Sequence, residues 1–433
     1  MLFIYAVVYA AERTTYVDSA WLFFKGVNNE NFAFGWERFG AFISEIPLFI
    51  AVKLHVPFKA LVYTFSLGYP LLYYFVWCLC TYKLKNAVAG LVILFGMIMG
   101  VRETFLHTVT ETHQLIVYSA LFFAVLEYEF KNNLLKKIIA GITLFLVLFT
   151  HPFGLFTAGF VLLYHIVKTK KWKDSLPLIV LLFLSVAGTA LFFWFDKTYN
   201  AAQFAQFKNP SLGGSTGNFA LGFIRMHFFH FYWMPEVAAL IAGVWLIARK
   251  EWLKLVALTF SVTIYMLIIL VAFRNGDASI MMERIFLPAF FMVNLILADL
   301  MANEKRINKW IPMVLAVFFL VNGIRYINTG CLLYKKRVAY LDQIVKDGIA
   351  AGHDLYYLSP EKTDKERILA GWALGTETLI YSKFKYDKCI SISTNDEICP
   401  PGTWHTKIST CQPVQDLSPH YFQLSGRAYV ELK

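Results

Sequence analysis

Residues 253–273 read LKLVALTFSVTIYMLIILVAF, an apolar run whose one charged member, Lys254, stands near its start. A helix needs about 20 predominantly apolar residues to cross the hydrocarbon core of a bilayer. The run is long enough, and it is bounded by charges at Arg249 and Lys250 on one side and at Arg274 on the other. It therefore predicts a transmembrane helix.

The composition extends this prediction to the whole chain. The 433 residues are 58% hydrophobic, 17% aromatic and 16% charged, whereas soluble domains carry about a quarter charged residues. This excludes a water-soluble enzyme and a disordered chain, and it leaves a polytopic membrane protein. The net charge of +11 does not require a nucleic-acid partner, because basic residues of membrane proteins collect in cytoplasmic loops beside anionic lipids.

Further apolar runs between charge clusters predict nine more spans, at 58–80, 86–101, 114–130, 136–150, 152–167, 176–195, 229–248, 284–301 and 311–330. The opening run from Leu2 to Ala11 adds another. It is short and lacks the basic segment of a signal peptide, so we interpret it as the outer part of a first helix. The sequence thus predicts a mainly α-helical protein with about 11 transmembrane helices.

The basic residues predict the orientation of these helices. One set of short loops, at 83–85, 131–137, 168–173, 249–254 and 305–309, contains fifteen Lys and Arg residues. The opposite loops between 102 and 284 contain six over more chain. By the positive-inside rule the first set is cytoplasmic, which places the N-terminus inside and the C-terminus outside.

Two domains are predicted. Residues 1–330 form the transmembrane domain, in which a long first outer loop, about 12–57, holds interfacial helices. Residues 331–433 change to charged and proline-containing sequence and form a small extracytoplasmic domain of α/β type. Three of the six cysteines, Cys389, Cys399 and Cys411, lie in this exported part beyond its first residue. Since three is odd, they form at most one bridge among themselves.

Ionisable residues cluster at the predicted outer face, where groups at membrane depth indicate a functional site. The candidates are Asp18, Arg38, Arg102, Glu103, Glu111, His113, His151, Arg274, Glu283 and Arg284. Structural alternatives exist for several of them. Asp18 is also placed to cap the helix that follows, and His151 before Pro152 to end a helix. Arg102 with Glu103, and Glu283 with Arg284, suit structural ion pairs at helix ends. His107 is expected on a solvated face.

Four short motifs together resemble the C-type glycosyltransferases (GT-C), polytopic enzymes that use polyprenyl-phosphate-linked sugars. They are YVDSAW at 16–21, ETH at 111–113, HP at 151–152 and MERIFLP at 282–288. The resemblance covers the organisation of most of residues 1–330, whereas the matching motifs comprise few positions. It implies transfer of a sugar from a polyprenyl phosphate to a glycan, lipid or protein acceptor at the extracytoplasmic face.

The resemblance also implies roles. Asp18 is the general base or orients the acceptor, and Glu111 is a second catalytic candidate. Arginines that stabilise the departing lipid phosphate are Arg102, Arg274, Arg284 and Arg38. His113 and His151, with Glu111, bind sugar hydroxyls or assist proton transfer. In the oligosaccharyltransferase branch an Asp-x-Asp motif binds metal in the first loop. Here Ser19 and Ala20 follow Asp18, so we expect no essential metal and no cofactor.

Three other functions remain open on the sequence. An envelope-polysaccharide polymerase or ligase has similar topology, but the 196–228 loop has fewer basic residues than such enzymes use. A lipid or solute transporter would place ionisable residues at the midplane, whereas here they lie at one face. A structural subunit whose tail binds a partner is the third. The residue usage suits a bacterial inner membrane with a periplasmic active face, where membrane lipids are the expected surroundings.

Overall fold

A computed structural model describes residues 1–33, 39–108, 111–195, 219–225, 229–272, 279–303, 310–359, 363–364, 366–394, 417–424 and 430–432. The protein is mainly helical. The first part of the chain forms α1 (Leu2–Val8), α2 (Ala10–Thr14), α3 (Val17–Asn28), a 3-10 segment (Phe39–Glu45), α4 (Ile46–Lys53), α5 (Phe58–Cys78, extended by a π turn, Leu79–Lys83), α6 (Ala87–Ile98) and a 3-10 turn (Thr104–Leu106).

The middle of the chain forms α7 (Glu111–Glu127), α8 (Asn133–Thr150), α9 (Gly154–Thr169), α10 (Trp172–Phe195), two short helical segments (Phe219–Phe223 and Phe229–Phe231), α11 (Trp233–Ala248), α12 (Trp252–Ala272) and α13 (Ser279–Asn303). The last part forms α14 (Trp310–Ala351), β1 (Leu355–Tyr357), α15 (Gly371–Tyr386), β2 (Ser391–Ser393) and β3 (Val430–Glu431).

Within the described residues, five helical segments are long and apolar enough to cross a membrane: Phe58–Lys83, Asn133–Thr150, Trp252–Ala272, Met282–Asn303 and Trp310–Ala351. Helices α6, α9 and α11 are apolar but shorter. The 12 residues of α6 rise only about 18 Å at 1.5 Å per residue. The helices are those of a helical membrane protein, and the number of spans stays a prediction.

Two helices form the centre of the bundle. In α7 every residue from Glu111 to Leu126 is buried, and α13 is buried over nearly all of its apolar part. Helix α7 packs against α6, α8, α9 and α13. The polar residues that these two helices carry are therefore held inside the protein.

Helix α14 continues beyond the predicted domain boundary at residue 330. It forms one helix of 42 residues, and Gly330 and Cys331 are buried within it. The chain that follows makes a three-stranded parallel sheet in the order β2-β1-β3, against which α15 packs.

The C-terminal elements share an apolar core with the first predicted outer loop. The ring of Phe422 lies 5.3 Å from that of Phe24 in α3 and 5.7 Å from that of Phe58 in α5. The backbone N–H of Ser418 donates to the side-chain oxygen of Asn28 (2.8 Å). Helix α15 packs on α3, so the end of the chain covers the segment that carries Asp18.

Candidate functional site

Asp18 lies in the first turn of α3, one residue after its start. The capping position belongs to Tyr16, and no side chain caps the helix there. The interpretation of Asp18 as the helix cap is therefore wrong, although a carboxylate in the first turn is favoured by the helix dipole. The Asp18 side chain is 28% exposed, so solvent reaches it.

Two residues from distant parts of the chain meet Asp18. His107 Nε2 lies 3.2 Å from Asp18 Oδ2, and Arg284 Nη1 lies 3.8 Å from the same oxygen. Arg284 Nη1 is also 3.4 Å from His107 Nε2. We call these three residues the Asp18 cluster. It joins the first predicted outer loop, the second, and the start of α13.

The sequence prediction for His107 is wrong. The residue is 2% exposed, and its ring packs edge-on against Tyr16 with 6.0 Å between centroids. Burial lowers the pKa of His107, the charge of Arg284 lowers it further, and Asp18 acts in the opposite direction. In the tautomer that carries its proton on Nε2, a neutral His107 ring donates to Asp18 Oδ2. His107 thus orients the carboxylate, while Asp18 is the reachable group.

Glu283 is a structural carboxylate. It is 1% exposed, and its two oxygens accept from the backbone N–H groups of Arg102 (2.6 Å), Glu103 (3.1 Å) and Thr104 (3.0 Å). The hydroxyls of Thr104 and Tyr232 also donate to it, the latter at 3.0 Å. The geometry differs from the alternative of a Glu283–Arg284 ion pair, because Glu283 fixes the 102–104 loop instead.

Arg102 and Glu103 lie on that loop beside one another. The Arg102 guanidinium stands over the ring of Phe231 (4.2 Å), and its Nη1 is 3.7 Å from Glu103 Oε1. Both side chains are partly exposed, at 15% and 29%. They are placed at the same end of the bundle as Glu283, and their contact with each other agrees with the structural alternative for this pair.

Glu111 and His113 begin α7 and are buried. The Glu111 charge acts on both His107 and Glu45, which places it near the Asp18 cluster. His113 faces α5, where its backbone carbonyl accepts from the Tyr73 hydroxyl (2.9 Å) and its ring packs on Tyr69. Because His113 is buried there, its role is to pack against α5.

His151 forms the turn between α8 and α9. Its Nδ1 accepts from the backbone N–H of Phe153 (3.2 Å), and the two rings are 4.6 Å apart. This agrees with the alternative in which His151 ends a helix. Arg38 and Arg274 lie outside the described residues, as do Cys399 and Cys411 of the predicted cysteine set.

Arg13 is a buried charge that the sequence analysis did not select. It is fully buried and donates to the hydroxyl (2.8 Å) and carbonyl (2.9 Å) of Ser66 and to the carbonyl of Phe105. Its guanidinium also stands over the rings of Tyr69 and Phe105. A charge directly after an apolar segment is a signal that should have drawn attention to it.

A second polar cluster lies at the other end of the same helices. Asp299 in α13 accepts from Lys168 (2.9 Å) and Lys254 (3.4 Å) and from the Tyr164 hydroxyl. Lys168 also pairs with Glu127 (2.9 Å) at the end of α7. These contacts join α7, α9, α12 and α13. The two carboxylates and the two lysines of this cluster neutralise one another.

The described residues contain no group of three or more His, Cys, Asp or Glu arranged to hold a metal ion. The absence of an essential metal stays a prediction. Asp18, the partly exposed carboxylate of the Asp18 cluster, lies beside an imidazole and a guanidinium. Such a set suits proton transfer and anion binding.

Comparison of the chain with protein-family models, with curated proteins and with solved structures finds no match. The fold and the site therefore define the class on their own. The protein is a mainly helical one with membrane-type apolar helices, and it carries a solvent-accessible carboxylate at one end of its bundle.

Proposed function

We propose that the protein is an integral-membrane glycosyltransferase of the GT-C type, which transfers a sugar from a polyprenyl phosphate to an acceptor at the extracytoplasmic face. The observation that carries the proposal is the Asp18 cluster. A partly exposed carboxylate next to a neutral imidazole and a buried guanidinium offers a base and an anion-stabilising group side by side.

In the proposed reaction Asp18 accepts the proton of an acceptor hydroxyl. The acceptor oxygen forms a bond to the anomeric carbon of the sugar, and the bond from that carbon to the phosphate oxygen breaks. The electron pair leaves with the lipid phosphate, whose negative charge Arg284 stabilises. His107 holds the Asp18 carboxylate toward the acceptor, and Glu283 fixes the loop that carries His107.

The proposal includes about 11 transmembrane helices, an extracytoplasmic C-terminal part and a bacterial inner membrane with the Asp18 cluster on the periplasmic side. It is supported by the apolar helices, and by the separation of the two polar clusters along α13. Arg284 of the Asp18 cluster and Asp299 are 15 positions apart on α13, which corresponds to about 23 Å of helix.

The test is sugar transfer by the purified protein in lipid nanodiscs from a panel of radiolabelled polyprenyl-phosphate sugars. We expect transfer by the wild type, loss in Asp18→Asn, and retention in Glu30→Gln. Glu30 is the matched control, since it lies in the same predicted loop and, among the described residues, its ion-pair contact is a long one with Lys53 (3.9 Å).

Transfer by the wild type and Asp18→Asn alike would move the base to another residue, with Glu111 the next candidate. Reaction only with polyprenyl-diphosphate oligosaccharides would favour the polymerase or ligase. No transfer and no binding with any lipid-linked sugar would overturn the proposal and leave a transport or partner-binding role.

A further inference from the structure

The backbone next to Asp18 has an unusual conformation. Val17 has a φ of 30°, in the left-handed region that β-branched residues rarely adopt. Such a conformation persists where surrounding contacts enforce it, and it is found at functional sites. The contacts that surround Val17 come from the C-terminal part of the chain.

Hydrogen bonds hold the backbone on both sides of Val17. Glu377 Oε1 in α15 accepts from the Val17 N–H (2.9 Å). The carbonyl of Thr15 accepts from the Tyr334 hydroxyl (2.8 Å) and from Arg337 Nη1 (3.3 Å), both in α14. The segment that leads into α3 is thus fixed by two helices more than 300 positions later.

Arg337 and Glu377 form a buried ion pair. Arg337 Nη2 lies 2.5 Å from Glu377 Oε2, and the two side chains are 5% and 0% exposed. Replacing a buried ion pair by apolar residues of similar size is often neutral or stabilising. Stability alone therefore does not explain its use here. The other donors of Arg337 reach the carbonyls of Arg367 and Thr15 and the Tyr334 hydroxyl, and the other oxygen of Glu377 accepts from the Val17 N–H.

The same segment contacts the residues around His107. The Tyr16 ring lies between Tyr334 (4.7 Å) and His107 (6.0 Å), and the Ser19 hydroxyl accepts from the Thr108 N–H (3.0 Å). A shift at Thr15 or Val17 would therefore move Asp18 relative to His107.

We infer that the Arg337–Glu377 ion pair is a positioning device, by which the C-terminal part of the chain sets the Asp18 carboxylate against His107. As far as it concerns catalysis, the inference rests on the proposed function. The alternative is a clamp that only joins α14 to α15.

The chain offers a matched control for that alternative. Asp342 in α14 accepts from Lys385 in α15 (2.8 Å), and its other partners, Lys346, Tyr381 and Tyr386, lie on the same two helices. This pair joins α14 to α15 without reaching Thr15 or Val17. Asp342→Asn thus weakens the clamp and leaves the backbone contacts in place.

The test compares two double variants that remove the buried charges together. Arg337→Met/Glu377→Leu has no acceptor for the Val17 N–H, whereas Arg337→Met/Glu377→Gln retains one in the amide oxygen. Hydrogen–deuterium exchange is measured for peptides covering 14–22, and transfer kinetics are measured with the donor that the wild type uses.

We expect exchange in 14–22 to rise about tenfold or more in the Leu variant and to stay near wild type in Asp342→Asn. The Gln variant should lie between them, because it keeps an acceptor for the Val17 N–H and lacks the contact of Arg337 with Thr15. The kcat should fall about tenfold to a hundredfold in the Leu variant, with KM for the donor little changed, because a displaced catalytic group costs rate. Partial rescue by the Gln variant is a result that a general loss of stability would not give.

Tyr334→Phe removes a donor to Thr15 and leaves Arg337 and Glu377 in place. It therefore provides a second measurement of the same effect if the Leu variant does not fold. Unchanged exchange in both the Leu variant and Tyr334→Phe would overturn the inference. So would equal losses of kcat in the Leu variant and Asp342→Asn. If exchange changes as expected but the wild type transfers no sugar, the positioning stands and the proposed function fails.

Discussion

Glu283 and Arg102 are joined through the backbone: Glu283 Oε1 accepts from the Arg102 N–H at 2.6 Å. Because the other oxygen of Glu283 accepts from the next N–H, at Glu103, one carboxylate from α13 fixes the loop leading to His107. The side chain selected as a substrate ligand thus has a structural role, and the loop it holds belongs to the site.

Glu283→Gln should destabilise the protein by about 2–3 kcal/mol, since the amide NH2 would face backbone N–H donors and leave buried groups unsatisfied. Thermal unfolding in detergent measures the loss. Tyr232→Phe removes one hydroxyl donor to the same carboxylate and should cost about 1 kcal/mol. Equal losses in the two variants would contradict this role of Glu283.

Gly330→Ala should destabilise the contact between α14 and the Arg102 loop. A Cβ at Gly330 would overlap the Arg102 carbonyl oxygen and lie 2.8 Å from its carbon, so the loop must shift at a cost of about 1–3 kcal/mol. Gly141→Ala in α8, where an added Cβ would meet no neighbouring atom of the described residues within 4 Å, is the control and should be neutral or stabilising. An unchanged melting temperature for Gly330→Ala would show that the loop shifts without an energetic cost, and it would contradict the prediction.

Glu45 should make stability fall as the pH rises from about 4.5 to 7. Burial is the main cause that raises the pKa of this carboxyl to about 7, and the charge of Glu111 adds to it. The folded state favours the protonated form, so its contribution is complete below pH 4.5 and is lost as pH rises through 7. The loss is on the order of 3 kcal/mol.

Glu45→Gln should remove this dependence and be more stable than the wild type at pH 8, when unfolding is followed from pH 5 to 9. Glu30→Gln serves as the control and should keep the wild-type profile. A Glu45→Gln profile that runs parallel to that of the wild type would contradict the assignment.

His107 should make stability fall as the pH decreases, which is the opposite of the effect of Glu45. Its pKa is lowered by burial and by Arg284, so its contribution to stability is present above about pH 6.5 and is lost as pH falls through the lowered value. His107→Gln should flatten the stability profile between pH 5 and 7. The exposed His353 supplies the control, His353→Gln, and a matching change there would refute the prediction.

Much of the helical pattern was predictable. The predicted spans at 58–80, 136–150 and 253–273 correspond to α5, α8 and α12 within a few residues, since apolar length between charges is a local property. The span at 86–101 was drawn too long, because α6 ends at Ile98 and Gly100 then takes a φ of 76°. Hydropathy alone does not register such a turn.

The continuation of α14 to Ala351 was not predicted. Hydropathy falls after residue 330, and the sequence was divided there. The helix continues because Tyr334, Val338, Leu341 and Val345 keep a buried stripe at helical spacing, which a search for uniformly apolar runs does not detect.

The sequence by itself determined that the protein is helical and of membrane type, and that ionisable residues gather in the predicted outer loops. These follow from composition and local order along the chain. Only the tertiary structure decided which of those residues meet. It brought His107 and Arg284 to Asp18, assigned Glu283 to the backbone, and set Glu377 on Val17, because contacts between positions 89 to 360 residues apart depend on how helices pack and leave no local pattern in the sequence.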